Sequence, residues 1–278
     1  MLRSPGLEPI DYLLIGHITL DQTPEGDRLG GTALYSALTA CALGLRVGLV
    51  TAWGEEQPVP QHENLQVLNL ECEHSTTFRL DYGATGRTLT LRQRAPDLAL
   101  FHIPELWRST PLVHLGPVAN EVDSGLVRAF PDALMCLTPQ GWLRGWDSAG
   151  RVHRSAWPEA DFALRHSQAV VISREDARSE QIEAFSYAAS LLAVTDGHQP
   201  GTLYANGEEL SFAPPQVEEL DPTGAGDIFA AAFFTRLLAQ EPPLAAARFA
   251  AGLAADSVSR RGLDGIPHSD LNLERSAS

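Results

Sequence analysis

Short, almost unbroken apolar runs recur along this chain, and each gives way to a polar cluster. Asp11-Tyr12-Leu13-Leu14-Ile15-Gly16 is the first and Arg46 to Thr51 the second. Leu112 to Gly116, Ala133 to Leu137, Ala169 to Ile172 and Leu191 to Val194 follow. Runs of that length without alternation predict strands buried on both faces. Helical stretches lie between them. Leu29-Gly30-Gly31 opens a helix of small residues to about Leu43, with Gly44 as its stop. A second helix is expected from Asn120. A third is expected after Ser173-Arg174-Glu175-Asp176, where Ser173 makes an N-cap with acids in the first turn. The last runs from Leu244 to Val258 and is stopped by Gly262. Repeated strand–helix alternation predicts an α/β fold with a mostly parallel central sheet, helices on both faces and right-handed crossovers. No internal repeat or long linker divides the chain, so residues 1–278 are expected to form a single domain.

The pattern changes between about residues 65 and 95. Leu65 to Leu70 is strand-like but slips register between Val67 and Leu68. Thr77-Phe78-Arg79-Leu80-Asp81-Tyr82 alternates cleanly, with Phe78, Leu80 and Tyr82 on one face. Gly83-Ala84-Thr85-Gly86 turns the chain, and Arg87 to Arg92 returns. This predicts a two-faced β-hairpin, suited to a lid over the open end of the sheet, to a surface ribbon or to a dimer contact. Arg79, Asp81, Arg87 and Asp97 are its candidate contacts.

Composition narrows the function. The net charge is −15, which argues against nucleic acid or anionic membrane as the main partner. The start of the chain lacks the pattern of a signal peptide, and no apolar run reaches the roughly 18 residues that span a bilayer. Cys41, Cys72 and Cys136 are scattered and odd in number, which fits a reduced, cytoplasmic setting. All 20 basic residues are arginine. Without lysine there is no Gly-Lys-Ser/Thr phosphate loop, no protein-kinase strand lysine and no side-chain Schiff base. The histidines lack HxxxH spacing, and Cys72-x-His74 is too little for a zinc site.

Polar clusters follow the predicted strands at Asp21, at Gln140 to Arg144, at Ser173 to Asp176 and at Thr195-Asp196-Gly197. Ligands of open α/β sheets bind beyond the carboxyl ends of the strands, so these clusters are expected on one rim. A fifth stretch organises the rest: Asp221-Pro222-Thr223-Gly224-Ala225-Gly226-Asp227, at the mouth of the apolar helix that begins Ile228-Phe229-Ala230. Backbone N–H groups at a helix start hold anions well. An acid in that first turn serves if it takes a proton from a nucleophile attacking the anion. That pairing points to phosphoryl transfer. A dinucleotide-binding GxGxxG would need glycine where Phe229 stands and an apolar strand where Glu218-Glu219-Leu220 lies.

The 221–227 stretch resembles the C-terminal signature of the ribokinase-like (PfkB) carbohydrate kinases. Asp21, Gly30-Gly31, Thr195-x-Gly197 and Arg261-Gly262…Ile266-Pro267 also match, so the resemblance runs from about residue 10 to 267. It implies a three-layer ribokinase-like α/β fold with a small β-hairpin lid, and a kinase that uses ATP and Mg²⁺ to phosphorylate a sugar or polyol, with inositol-like and nucleoside acceptors open. A catalytically silent nucleotide or sugar sensor is the rival from another class. By the resemblance Asp227 is the base, and Gly224, Ala225 and Gly226 offer N–H groups to the γ-phosphoryl. Asp21, Gly30 and Gly31 hold the acceptor, with Tyr35 where the family has asparagine. Thr195, Gly197 and Thr223 border the nucleotide, and Asp176 serves Mg²⁺ through water. Asp221, with Thr223, sits where some members bind K⁺. Ser173 replaces the asparagine of the usual Asn-x-x-Glu. The lid is expected to be reduced, since only Gln22 to Leu29 separate Asp21 from Gly30, and a homodimer through it is open.

Overall fold

The computed structural model describes residues 6–83 and 86–268, with the side chains at 82, 83, 86 and 87 also outside the description. The Ala84-Thr85 turn and the side-chain roles expected of Tyr82 and Arg87 therefore lie outside the described residues. The chain opens with β1 (Tyr12–Ile15), β2 (Thr19–Thr23), β3 (Gly26–Gly30), α1 (Thr32–Ala42), β4 (Val47–Ala52) and β5 (Leu65–Leu70). Next come β6 (Thr76–Gly83), β7 (Gly86–Gln93), β8 (Leu112–Leu115), β9 (Leu134–Leu137), β10 (Arg144–Trp146) and β11 (Val152–Arg154). Then follow α2 (Ala160–Arg165), β12 (Ala169–Ser173), α3 (Ser179–Ala188) and β13 (Leu191–Asp196). β14 (Gln199–Ala205), β15 (Glu208–Phe212), α4 (Ala225–Leu238) and α5 (Pro243–Ser257) complete the order.

Nine strands form the main sheet in the order β15-β14-β13-β12-β9-β8-β1-β4-β5. It is parallel from β13 to β5, while β14 and β15 add an antiparallel edge. Successive side chains of a strand face opposite ways, so β1 feeds two cores. Leu13 and Ile15 point into one that holds Trp107, Trp142, Trp157 and Phe185. Tyr12 and Leu14 point into the other, with α1 and the aromatic side of α4. Residues 228–235 of α4 are all buried; a helix apolar all round suits its place against both α1 and α5.

The second sheet differs from expectation. Four strands in the order β3-β2-β6-β7 build it, so the lid is a sheet and not a lone hairpin. Asp21 lies within β2 and not at the end of the first strand, because β2 pairs with β3 antiparallel and with β6 in parallel. Leu65–Leu70 belongs to the main sheet: it pairs along its length with β4, and its partial exposure as an edge strand accounts for the imperfect alternation. No α-helix follows Asn120. That residue takes a positive φ of 58°, and a 3-10 turn over Ser124–Arg128 follows, capped by Asp123 accepting from the Gly125 N–H at 2.8 Å. Ser173 is not a helix cap either: Ser173 to Asp176 closes on itself as a turn, and α3 starts at Ser179.

Candidate active site

The parallel strands end along one rim, and the polar clusters gather there. α4 begins at Ala225 with Gly224 as its N-cap in the left-handed region, φ 79°. A side chain at 224 is excluded twice, because an added Cβ would stand 2.1 Å from Cδ1 of Tyr35. Tyr35 is 1% exposed, and its ring lies beneath the loop at Gly224. The adjoining helix positions Ser36, whose hydroxyl donates to the carbonyl of Asp227 at 3.1 Å. Asp221 closes the loop from the other side. It accepts the N–H of Thr223 and of Gly262, each at 3.0 Å, and faces Arg28 of β3 at 3.7 Å. Those contacts hold its carboxyl below the usual range against the opposing effect of burial.

Asp227 sits in the first turn of α4. Burial pushes its carboxyl up to about 6; a hydrogen bond from Thr32 opposes the rise, Asp176 adds to it, Arg144 opposes it, and Asp21 adds to it. An acid poised near neutrality is suited to general-base work. Asp21, Asp176 and Arg144 thus come within electrostatic reach of Asp227 from three separate parts of the chain. Asp21 is held by the Thr19 hydroxyl at 2.9 Å, and Gly30 lies so close that a Cβ there would meet its Oδ2 at 2.4 Å. Asp176 accepts from the Gln140 side chain at 3.0 Å and from the Ser173 N–H at 3.1 Å.

Thr195 stands beside Ser173 in register, and its hydroxyl donates to the Ile172 carbonyl at 3.4 Å. Gly197 forms the following turn with φ 56°. Asp196 between them pairs with Arg174 at 3.0 Å. The register of β13 on β14 shifts between Val194 and Asp196. The sequence pattern missed the partners that hold the site: Thr32, which reaches the base, Arg28, which reaches Asp221, and Arg144, singled out only as part of a polar cluster.

A rim of strand ends, a loop at a helix start and an acid in that helix's first turn sit in a ribokinase-like α/β fold. Residues 158–269 match the model of the pfkB family carbohydrate kinases. A cytidine kinase of Thermococcus kodakarensis is 24% identical over 246 residues, covering 81% of this chain and 87% of that one. An inositol 3-kinase of Zea mays is 32% identical over 125 residues, 44% of this chain but 32% of the maize protein. Among solved structures, a pyrophosphate-dependent myo-inositol-1 kinase converted into a myo-inositol-3 kinase superposes with a TM-score of 0.77, at 18% identity, over 92% of this chain and 98% of that one. The ATP-bound fructokinase of Xylella fastidiosa gives a TM-score of 0.73 at 16% identity, covering 93% and 96%. The fold is thus ribokinase-like along nearly the whole chain, and residues 158–269 carry the likeness to the pfkB family carbohydrate kinases.

Proposed function

We propose that this kinase transfers the γ-phosphoryl of ATP to a hydroxyl of a sugar or polyol, with inositol-like polyols first among the acceptors. The observation that carries the reading is Asp227 in the first turn of α4, with its carboxyl raised to about 6, at the helix start capped by Gly224 where the Ala225 N–H also donates to the Pro222 carbonyl at 3.3 Å. In this reading Asp227 takes the acceptor's proton while Gly224, Ala225 and Gly226 hold the moving phosphoryl by backbone N–H groups. Such transfer needs chiefly positioning and charge stabilisation. Asp21, beside Gly30 and Gly31, holds the acceptor's hydroxyls. Thr195, Gly197 and Thr223 border the donor.

Mg²⁺ fits this site as a partly hydrated ion. No group of three or more His, Cys, Asp or Glu that could hold a metal occurs among the described residues. Mg²⁺ keeps several waters and uses one or two carboxylates plus substrate phosphates; Asp176 would hold it through water. Bound there, it would neutralise charge on the donor phosphates. Asp221 would be the carboxylate for K⁺, although Arg28 and two backbone N–H groups already face it.

Pyrophosphate as donor and a nucleoside as acceptor form the second reading, favoured by the likeness to the pyrophosphate-dependent inositol kinase and the cytidine kinase. One experiment separates the readings: purified protein with Mg²⁺ and either ATP or pyrophosphate, against a panel of inositols, sugars and nucleosides, with Asp227→Asn as the blank. Phosphorylated polyol from ATP supports the first reading. Product from a nucleoside or from pyrophosphate alone selects the second. Donor binding with no product from any acceptor would mean a silent sensor. No helix among the described residues is long and apolar enough to cross a membrane, and a cytoplasmic setting with pairing of two copies through the lid belongs to this proposal.

A further inference from the structure

Asp21 and Asp176 both act electrostatically on Asp227, and in the kinase reading a polyanionic donor must arrive there as well. Like charges so placed oppose both ionisation of the base and approach of the donor. The chain has no lysine to offset them. Arg28 faces Asp221 and Arg174 pairs with Asp196. Arg144 is an arginine whose charge acts on the base, opposing the rise of its carboxyl pKa.

Its placement is built by three parts of the fold. The 3-10 turn over Pro139–Leu143 precedes it, anchored by buried Trp142 stacked on Trp157 at 4.9 Å. At the start of β10, its Nη1 donates to the Val118 carbonyl at 3.1 Å, and its own carbonyl accepts from Asn120 Nδ2 at 2.9 Å. Its guanidinium carbon lies 5.5 Å from the ring centre of Phe78, which is 4% exposed. A guanidinium over an aromatic face is attracted by the ring quadrupole, and its planar shape suits that seat better than an ammonium. Phe78 stands opposite Asp21 in the register of β2 and β6. The same lid strands therefore carry the acceptor-side acid and the seat of the cation.

We propose that Arg144 is the positioning cation of the transfer site: a guanidinium seated by the lid through Phe78 and by the 118–121 loop, whose charge offsets the acids around the reacting hydroxyl. It rests on the kinase reading for its chemistry, but not for its placement. The groups facing Asp227 are Thr32 and Tyr35 of α1, Asp21 of β2, Arg144 of β10 and Asp176 after β12; Asp21 and Asp176 raise its carboxyl pKa, while Thr32 and Arg144 lower it. Arg144 acts through Asp227 and the lid, so its loss must move the titration of the base as well as the rate.

The test uses Arg144→Met, Arg144→Lys and Phe78→Leu in the full chain, with thermal melting to confirm folding. The first readout is the carboxyl ¹³C titration of Asp227, identified by its disappearance in Asp227→Asn, which needs no substrate. Arg144→Met should move the midpoint upward, by about one pH unit for loss of one nearby charge. Arg144→Lys should leave the midpoint near that of the wild type, and Phe78→Leu should give a smaller upward shift. The second readout is kcat and KM for whichever acceptor is found: Arg144→Met should lose about 10- to 100-fold in kcat/KM at pH 7 and regain part of it at pH 9. An unchanged midpoint in folded Arg144→Met overturns the proposal. If that variant does not fold, an unchanged midpoint in folded Phe78→Leu overturns it. A shifted midpoint without any acceptor phosphorylated would leave the placement standing and sink the kinase reading.

Discussion

Asp227 carries a cost that the base role proposed for it would explain. Its carboxyl is raised to about 6 from an ordinary value of 3.8, chiefly by burial. The folded state therefore binds a proton that the unfolded chain has released between about pH 4 and 6, and stability falls as pH rises through that window. Asp227→Asn removes the buried charge and should stabilise the ligand-free protein by about 1 kcal/mol at pH 8, with little change at pH 4. Urea denaturation at the two pH values measures this. Turnover should move the other way: an amide cannot accept the acceptor's proton, so kcat should fall by about 10²-fold or more. In the wild type, protonating the base should cut kcat/KM with a slope of one below about pH 6. A variant both less stable at pH 8 and fully active would remove Asp227 from the base role. The sequence already showed this residue as an acid beside an anion loop. Its raised pKa was not legible, because it arises from burial and from Asp176 and Asp21, both distant along the chain, against the opposing pull of Thr32 and Arg144.

At the scale of elements, the junction of α1 and α4 fixes the anion loop. Gly224 combines a left-handed φ of 79° with direct contact on the Tyr35 ring. Gly224→Ala meets two penalties: about 1–2 kcal/mol for the backbone and about 1–3 kcal/mol for overpacking. Tyr35→Ala alone opens a cavity at a buried aromatic, at about 3–5 kcal/mol. The double variant gives the new methyl room, so its destabilisation should be less than the sum of the singles by about 0.5–3 kcal/mol. Additive losses in chemical denaturation would show that the ring does not set the loop. Gly226 has no atom within 4 Å of an added Cβ, so Gly226→Ala should fold normally while weakening donor binding. Helix α1 was legible from its small residues and flanking glycines. The place of Tyr35 was not, because a motif position says nothing about which neighbouring helix lies above the ring. β2 was missed for a related reason: Thr19-Leu20-Asp21-Gln22-Thr23 has a single large apolar residue, and long-range pairing with β6 makes it a strand.

Across the whole molecule, the buried parallel strands were legible because burial on both faces writes itself as unbroken apolar runs. The four-stranded lid was not, since one of its faces is polar and the ladder that joins its two hairpins, β2 to β6, pairs residues far apart in sequence. Absence of lysine acts at this scale too. To bind the polyanionic donor proposed for it, a protein of net charge −15 without lysine must gather its positive potential from arginines, backbone N–H groups and metal ions. Chemical modification separates these sources. Acylation with an amine-selective reagent finds no side-chain lysine and should leave the folded kinase within about two-fold of its starting rate. Its effect is confined to the terminal amine, and two-fold is small beside the 10²-fold scale of catalytic groups. Phenylglyoxal, which attacks guanidinium groups, should abolish activity, because Arg144 and Arg28 lie at the transfer site and at the lid-to-loop contact. Donor together with acceptor should slow that loss by closing the lid over Arg144, whereas exposed arginines such as Arg165 and Arg46 should react at unchanged rates. Peptide mapping of the modified protein reads both. Full activity after modification of Arg144 would return the positive charge of the site to the helix start and the metal alone.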